Sequence, residues 1–270
     1  MNNFWQRVLT GILFVFIVAG GIYYHAFSFF LVFFLVVVAS IYELQGLLTN
    51  ANIKNNFLTM LSVGVFIYLA SFLVKSGISE LSIFFLIVPL ISLVFALELF
   101  KTTGKPFESL GTSLLSALYV GAPFAFLHSL GFHDGVYSFK LPLAVFILVW
   151  INDTGAYVSG VTIGRHKFFE RISPKKTWEG TIGGFIFTLI TAYVLSIYWT
   201  DLNVSQWLIF GGITSIMAVL GDLLESMFKR SIGVKDSGSI LPGHGGFLDR
   251  FDAVIFALPM AAFYIEIFVR

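Results

Sequence analysis

The chain has 270 residues, of which 57% are hydrophobic and only 11% charged, with 32 Phe and a mean hydropathy of +0.91. That is far more apolar surface than one soluble core can hide, so a soluble globular domain is excluded and a polytopic membrane protein is expected. The net charge of +1 says nothing as a total, and the absence of cysteine removes disulfides, a thiol nucleophile and Cys-based metal sites.

A hydrocarbon core of about 30 Å takes about 20 helical residues to cross. Apolar runs of that length predict nine spans, near 8–24, 26–44, 57–74, 80–100, 110–131, 141–163, 181–199, 206–225 and 253–269. Backbone polar groups in lipid must be satisfied internally, and runs this long without strict alternation fit helices rather than barrel strands. The expected fold is therefore all-α. The first run, preceded by Arg7 and followed by Ala26-Phe27-Ser28, also has the form of a signal peptide, but eight further spans commit the chain to the membrane in either case.

Lys and Arg in alternate connections set the orientation. A cytoplasmic N-terminus puts Arg7, Lys54, Lys101, Lys105, Arg165, Lys167, Arg171, Lys175, Lys176, Lys229, Arg230, Lys235 and Arg250 inside and leaves only Lys75, Lys140 and Arg270 outside. An odd span count then places the C-terminus outside. Polar groups are unevenly spread: residues 1–140 read as a transmembrane scaffold of about five helices, and 141–270, about four helices, carry almost all of the unusual polar groups.

Asn152 and Asp153 sit about halfway along the sixth span, where a charge costs about 2.5–3.5 kcal/mol, so Asp153 points to a cavity or a partner. The neighbouring Gly155, Ser159 and Gly164 suit close helix packing. In the connection 172–180, ISPKKTWEG, Pro174 stops a preceding helix, Thr177 is placed to cap the next and Glu179 lies near its positive end. Lys175 and Lys176 are candidates for phosphate binding, and they also suit plain topology setting.

In 221–252, GDLLESMFKRSIGVKDSGSILPGHGGFLDRFD, residues Asp222, Ser226, Lys229 and Arg230 share one helix face, and Asp249 and Asp252 share a face of the helix that opens span nine. A glycine-rich connection joins them. Carboxylates are hard ligands for Mg²⁺, Lys and Arg neutralise phosphate oxygens, and glycines let backbone N–H groups approach them. The combination points to phosphoryl or nucleotidyl transfer. His244 suits a general acid, a phosphate contact or a hydrogen-bonded loop residue.

The run from Ser226 through Phe228, Lys229, Arg230, Lys235, Asp236, Gly238, Leu241, Pro242, His244, Gly245, Gly246, Phe247, Asp249 and Arg250 to Asp252 resembles the signature of the phosphatidate cytidylyltransferase (CDP-diacylglycerol synthase) family. Asn152–Tyr157 and Ser173–Gly180 resemble the same family, so the likeness covers about the C-terminal half. It implies that CTP and phosphatidic acid react to give CDP-diacylglycerol and pyrophosphate, with Mg²⁺ and room for a second cation. It also implies an inner-membrane enzyme of phospholipid synthesis, with membrane lipid as a partner, no nucleic acid, and compatibility with a homodimer.

On that reading Asp222 and Asp249 are the metal ligands expected, with Asp252 and Asp153 behind them. Lys229, Arg230, Lys235, Asp236 and His244 complete the catalytic set. Lys175, Lys176, Glu179, Ser226, Gly245, Gly246, Arg250, Asn152 and Asp153 are expected to bind substrate. The related CDP-alcohol phosphotransferase pattern D-G-x2-A-R-x8-G-x3-D is missing, since the lone Asp-Gly pair, Asp134-Gly135, leads into VYSFK. An ion transporter would use Asp153 and Asp222 to line a pathway, but its polar groups would recur in both halves rather than gather in one.

Overall fold

A computed structural model describes residues 3–100, 104–238 and 245–270. Nine α-helices run through them: α1 (Asn3–Tyr24), α2 (Ala26–Asn50), α3 (Phe57–Lys75), α4 (Ile87–Leu99), α5 (Pro106–Gly131), α6 (Lys140–Ile163), α7 (Trp178–Tyr198), α8 (Val204–Ser231) and α9 (Leu248–Phe268). A 3-10 turn over Leu81–Leu86 leads into α4. Eight helical stretches are long and apolar enough to cross a membrane, and α1 adds a shorter apolar stretch, Leu9–Tyr24. The molecule is an all-α, multi-pass membrane protein.

Two antiparallel hairpins interrupt the helical pattern. One pairs β1 (Phe132–His133) with β2 (Val136–Tyr137), and the other pairs β3 (Lys167–Phe169) with β4 (Ser173–Thr177). Both lie in connections, where Asp134-Gly135 supplies a positive-φ turn in the first and Pro174 forbids a helix in the second.

The chain forms two compact units. The first comprises Met1–Ser138 and Asp236–Arg250. Its α3 and α5 cross at glycines: a Cβ on Gly121 would lie 2.7 Å from the Gly64 carbonyl oxygen. Around that crossing, Phe29, Tyr68 and Phe72 pack with buried His128, and Phe132 packs on Phe72. Tyr137 donates its hydroxyl to the Ile22 carbonyl at 2.5 Å, tying the first hairpin to α1, and burial pushes this phenol above its ordinary pKa so that it stays a donor.

The second unit comprises Phe139–Lys235 and Phe251–Arg270. Small residues bring its helices to backbone contact. A Cβ on Gly180 would stand 2.8 Å from the Ala156 carbonyl oxygen, and one on Gly184 would stand 2.6 Å from that of Asn152, both across α6 and α7. On α8, a Cβ at Gly211 would meet Ala192 Cβ at 2.7 Å, and one at Gly221 would meet the Asp252 carbonyl oxygen at 2.5 Å. The outer face of α7 presents Trp178, Ile182, Ile186 and Ile190 at a spacing of four, all exposed, as a lipid-facing helix requires.

Helix ends follow local chemistry. Thr177 caps α7 by accepting from the Gly180 N–H at 3.1 Å, and Asn203 with Gln206 forms a capping box on α8. Gly233, at φ +75°, ends α8, where a side chain would be strained.

Gly184→Ala should lower the thermal unfolding midpoint in detergent, because overpacking a close crossing costs about 1–3 kcal/mol. Gly46→Ala, where nothing lies within 4 Å of the added Cβ, should leave the midpoint unchanged or raised. Equal midpoints for the two variants would refute the packing assignment.

Candidate active site

The second unit holds a cleft of about 360 Å³ between α6, β4, α7 and α8, whose polar lining includes Asn152, Asp153, Lys175, Lys176, Thr177 and Asp222. Five of these were expected from the sequence to work together, all but the cap Thr177. The glycine crossings explain their convergence: α6 and α7 pack so closely that the β3–β4 hairpin delivers its lysines beside both helices.

Lys176 Nζ lies 2.6 Å from Asp222 Oδ2 and also interacts electrostatically with Asp153. One cation therefore serves two carboxylates on different helices. Asn152 is buried, and its Oδ1 accepts from the Ser215 hydroxyl at 2.6 Å, fixing α6 against α8 below the charged groups. Asp153, its neighbour, is exposed to the cleft, and Lys175 is exposed on its rim. One turn above Asp222, the Ser226 hydroxyl donates to Asp222 Oδ1 at 3.2 Å.

A second charged group lies farther along α8. Glu225 is 1% exposed and pairs with buried Lys229 at 3.1 Å. Asp252 interacts electrostatically with Glu225, Asp222 and Lys229, and the Gly221 contact explains why α9 can come so close. Glu225 was not singled out from the sequence. It falls between Asp222 and Ser226 in a run already rich in charge, and only its zero side-chain exposure separates it from a solvated residue.

Asp249 belongs to the first unit and has a different environment. Its Oδ2 accepts from the N–H groups of Ser237 at 2.9 Å and Gly246 at 3.0 Å, and Ser237 N–H also reaches Oδ1 at 3.1 Å. The carboxylate thus draws together the two ends of the glycine-rich connection. Gly245 is at φ +81°, and a Cβ there would lie 2.7 Å from Asp249 Oδ2, so glycine is required on both counts.

Other expected residues lie apart from the cleft lining. Glu179 is occupied with the second hairpin, accepting from the N–H groups of Arg165 at 3.1 Å and His166 at 3.2 Å and meeting His166 Nδ1 at 2.5 Å. Arg230 is exposed and donates to the Val234 carbonyl at 3.3 Å. Lys235, Asp236 and Arg250 are exposed, and His244 lies outside the described residues.

Among the described residues, no three His, Asp or Glu side chains converge closely enough to enclose a metal ion unaided. Yet Asp153, Asp222, Glu225 and Asp252 interact within one unit against Lys176 and Lys229, an excess of hard oxygen donors over cations. That set fits Mg²⁺, which keeps several waters and takes one or two protein carboxylates while bridging to phosphates. A cleft with such carboxylates, a rim lysine and a paired lysine can receive a polyphosphate with its cation.

The sequence pattern described as Cytidylyltransferase family matches residues 5–268. A protein named phosphatidate cytidylyltransferase from Staphylococcus aureus is 47% identical over 152 residues, 54% of this chain and 55% of the relative. Proteins of the same name from Staphylococcus saprophyticus and Staphylococcus epidermidis are 48% identical over 152 residues and 44% over 149. The matched segment thus spans about half the length of these curated relatives.

Replacing Lys229 with Met leaves buried Glu225 without its countercharge and should cost about 3–5 kcal/mol of stability. Adding Glu225→Gln should restore more than half of the loss. Thermal unfolding of the single and double variants in detergent measures both, and an unchanged midpoint for Lys229→Met would refute the pairing.

Proposed function

Because the chain belongs to the cytidylyltransferase family, we propose that it transfers the cytidylyl group of CTP to phosphatidic acid, yielding CDP-diacylglycerol and pyrophosphate. The observation that carries this reading is the cleft itself, which combines Lys175, Lys176, Asp153 and Asp222 among helices long and apolar enough to cross a membrane. The name shared by the relatives supports the choice of nucleotide and lipid.

In the proposed reaction an oxygen of the lipid phosphate attacks the α-phosphorus of CTP. The bond from that phosphorus to the β-phosphate oxygen breaks, and pyrophosphate leaves with the bonding pair. No protein nucleophile is required. Two anionic reactants must approach, so catalysis rests on charge neutralisation and alignment. Lys175 on the rim meets the triphosphate or the lipid phosphate first. Lys176 shifts part of its charge from Asp222 to the incoming phosphates. Asn152, held by Ser215, keeps Asp153 at its place on the wall.

Asp222 is the residue proposed to hold Mg²⁺, with Asp153 and Asp252 as neighbours and Asp249 as the second ligand expected from the sequence. Bound there, the ion would supply positive charge to offset that building on the phosphates. The proposal extends to the bacterial cytoplasmic membrane, with the N-terminus and the lysine-rich hairpin cytoplasmic, the C-terminus outside, and a homodimer as the assembly.

Purified protein in detergent, given labelled CTP and phosphatidic acid, should form labelled CDP-diacylglycerol. Chelation should stop turnover and Mg²⁺ should restore it. Asp222→Asn, correctly inserted, should lose about 10²-fold or more in kcat, and Lys175→Ala should raise the KM for CTP or lipid. Near-normal turnover by Asp222→Asn would overturn its role, and CTP-independent solute uptake into sealed vesicles without product would overturn the reaction.

A further inference from the structure

We infer that Glu43, on α2 in the half that reads as apolar scaffold, is a positioning residue for the glycine-rich connection that opens α9; the inference rests on the reading proposed above. Glu43 lies in an apolar helix and is 5% exposed. Its Oε2 accepts from the Leu248 N–H at 2.8 Å, across 205 residues of sequence. The other side of the carboxylate lies against the backbone at both ends of the connection, since a Cβ on either Gly238 or Gly246 would collide with Oε1. Burying a carboxylate in an apolar helix is costly unless N–H groups or cations receive it, so its presence has to be matched by a specific partner.

The partner here is the neck of the loop. Asp249 gathers the N–H groups of Ser237 and Gly246, and Asp249 N–H reaches back to the Ser237 hydroxyl at 3.3 Å. Glu43 fills the space left by the two glycines and takes the next N–H along. Two carboxylates thus hold one neck, Asp249 from within the loop and Glu43 from a helix far away in sequence. N–H bonds to a carboxylate are of the stronger, charge-assisted kind when the acceptor is ionised. The neck carries Asp236 on one side and Arg250 on the other, so any displacement passes to one residue expected in the catalytic set and one expected to bind substrate.

Glu43 touches no substrate on this account. Its loss should lower kcat/KM for CTP or phosphatidic acid by about tenfold or more through the connection, since misplacement by about 1 Å can cost 10²-fold in rate. Hydrogen exchange followed by mass spectrometry provides a readout independent of activity. In Glu43→Ala, the amides of Ser237, Gly246 and Leu248 should exchange at least about tenfold faster, while those of α3 and α5 stay as in the parent protein. Glu43→Gln retains an acceptor for the Leu248 N–H and should recover both protection and most of the rate.

Unchanged exchange at Ser237, Gly246 and Leu248 in Glu43→Ala would overturn the inference, as would a uniform loss of protection through α3 and α5, which marks a merely structural residue. If Glu43→Ala fails to insert, Glu43→Gln and Glu43→Asp are compared with the parent, and full activity with parent-like exchange in Glu43→Asp, whose shorter arm cannot span the same gap, would overturn it too. A parent protein that makes no CDP-diacylglycerol refutes the proposed reaction while leaving the exchange result standing.

Discussion

A carboxylate on an apolar helix must find a cation or a set of N–H groups, because leaving it bare in a low-dielectric setting costs several kcal/mol. This constraint organises four acidic residues of the described chain. Asp222 finds Lys176, Glu225 finds Lys229, Asp249 takes the N–H groups of Ser237 and Gly246, and Glu43 takes that of Leu248. In the proposed reaction the first pair changes partners when a phosphate arrives, whereas the N–H clamps hold backbone in position.

The lysine of the Asp222 pair is available only because helices pack closely around it. Gly180 and Gly184 let α7 meet the α6 backbone, and the β3–β4 hairpin joining these two helices carries Lys175 and Lys176 to the mouth of the cleft. Glu179 locks the start of that hairpin through the N–H groups of Arg165 and His166. A residue expected from the sequence to meet substrate is therefore engaged in shaping the hairpin that carries the two lysines. The same division separates Asn152, buried on Ser215, from its neighbour Asp153, exposed to the cleft.

Hydropathy made the membrane helices legible, since a run of about 20 apolar residues has few other fates. The expected spans 57–74 and 141–163 differ by a residue or two from Phe57–Lys75 and Lys140–Ile163. Helix α8 runs on to Ser231, well past the expected end near 225, because Glu225 and Lys229 neutralise each other and let charged residues continue a buried turn. The hairpins escaped notice because a strand of two to five residues leaves no period to detect. Thr177 was readable as a cap from local sequence alone, and the close-packing role of Gly155, where a Cβ would lie 2.9 Å from Phe187 Cβ, from small residues near helical spacing.

By itself the sequence determined the all-α membrane class, the concentration of polar chemistry in the C-terminal half and the set of residues suited to phosphates, because composition, length and local spacing are properties of the chain. The tertiary structure decided which of them meet. Lys176 is 46 residues from Asp222, and Glu43 is 205 residues from Leu248, separations at which no periodicity carries information. Glu43 stands in an apolar run as a single acidic residue, indistinguishable there from one at a helix end. Its role follows from the N–H it receives and from the two glycines that make room for it, and those exist only once the chain has folded.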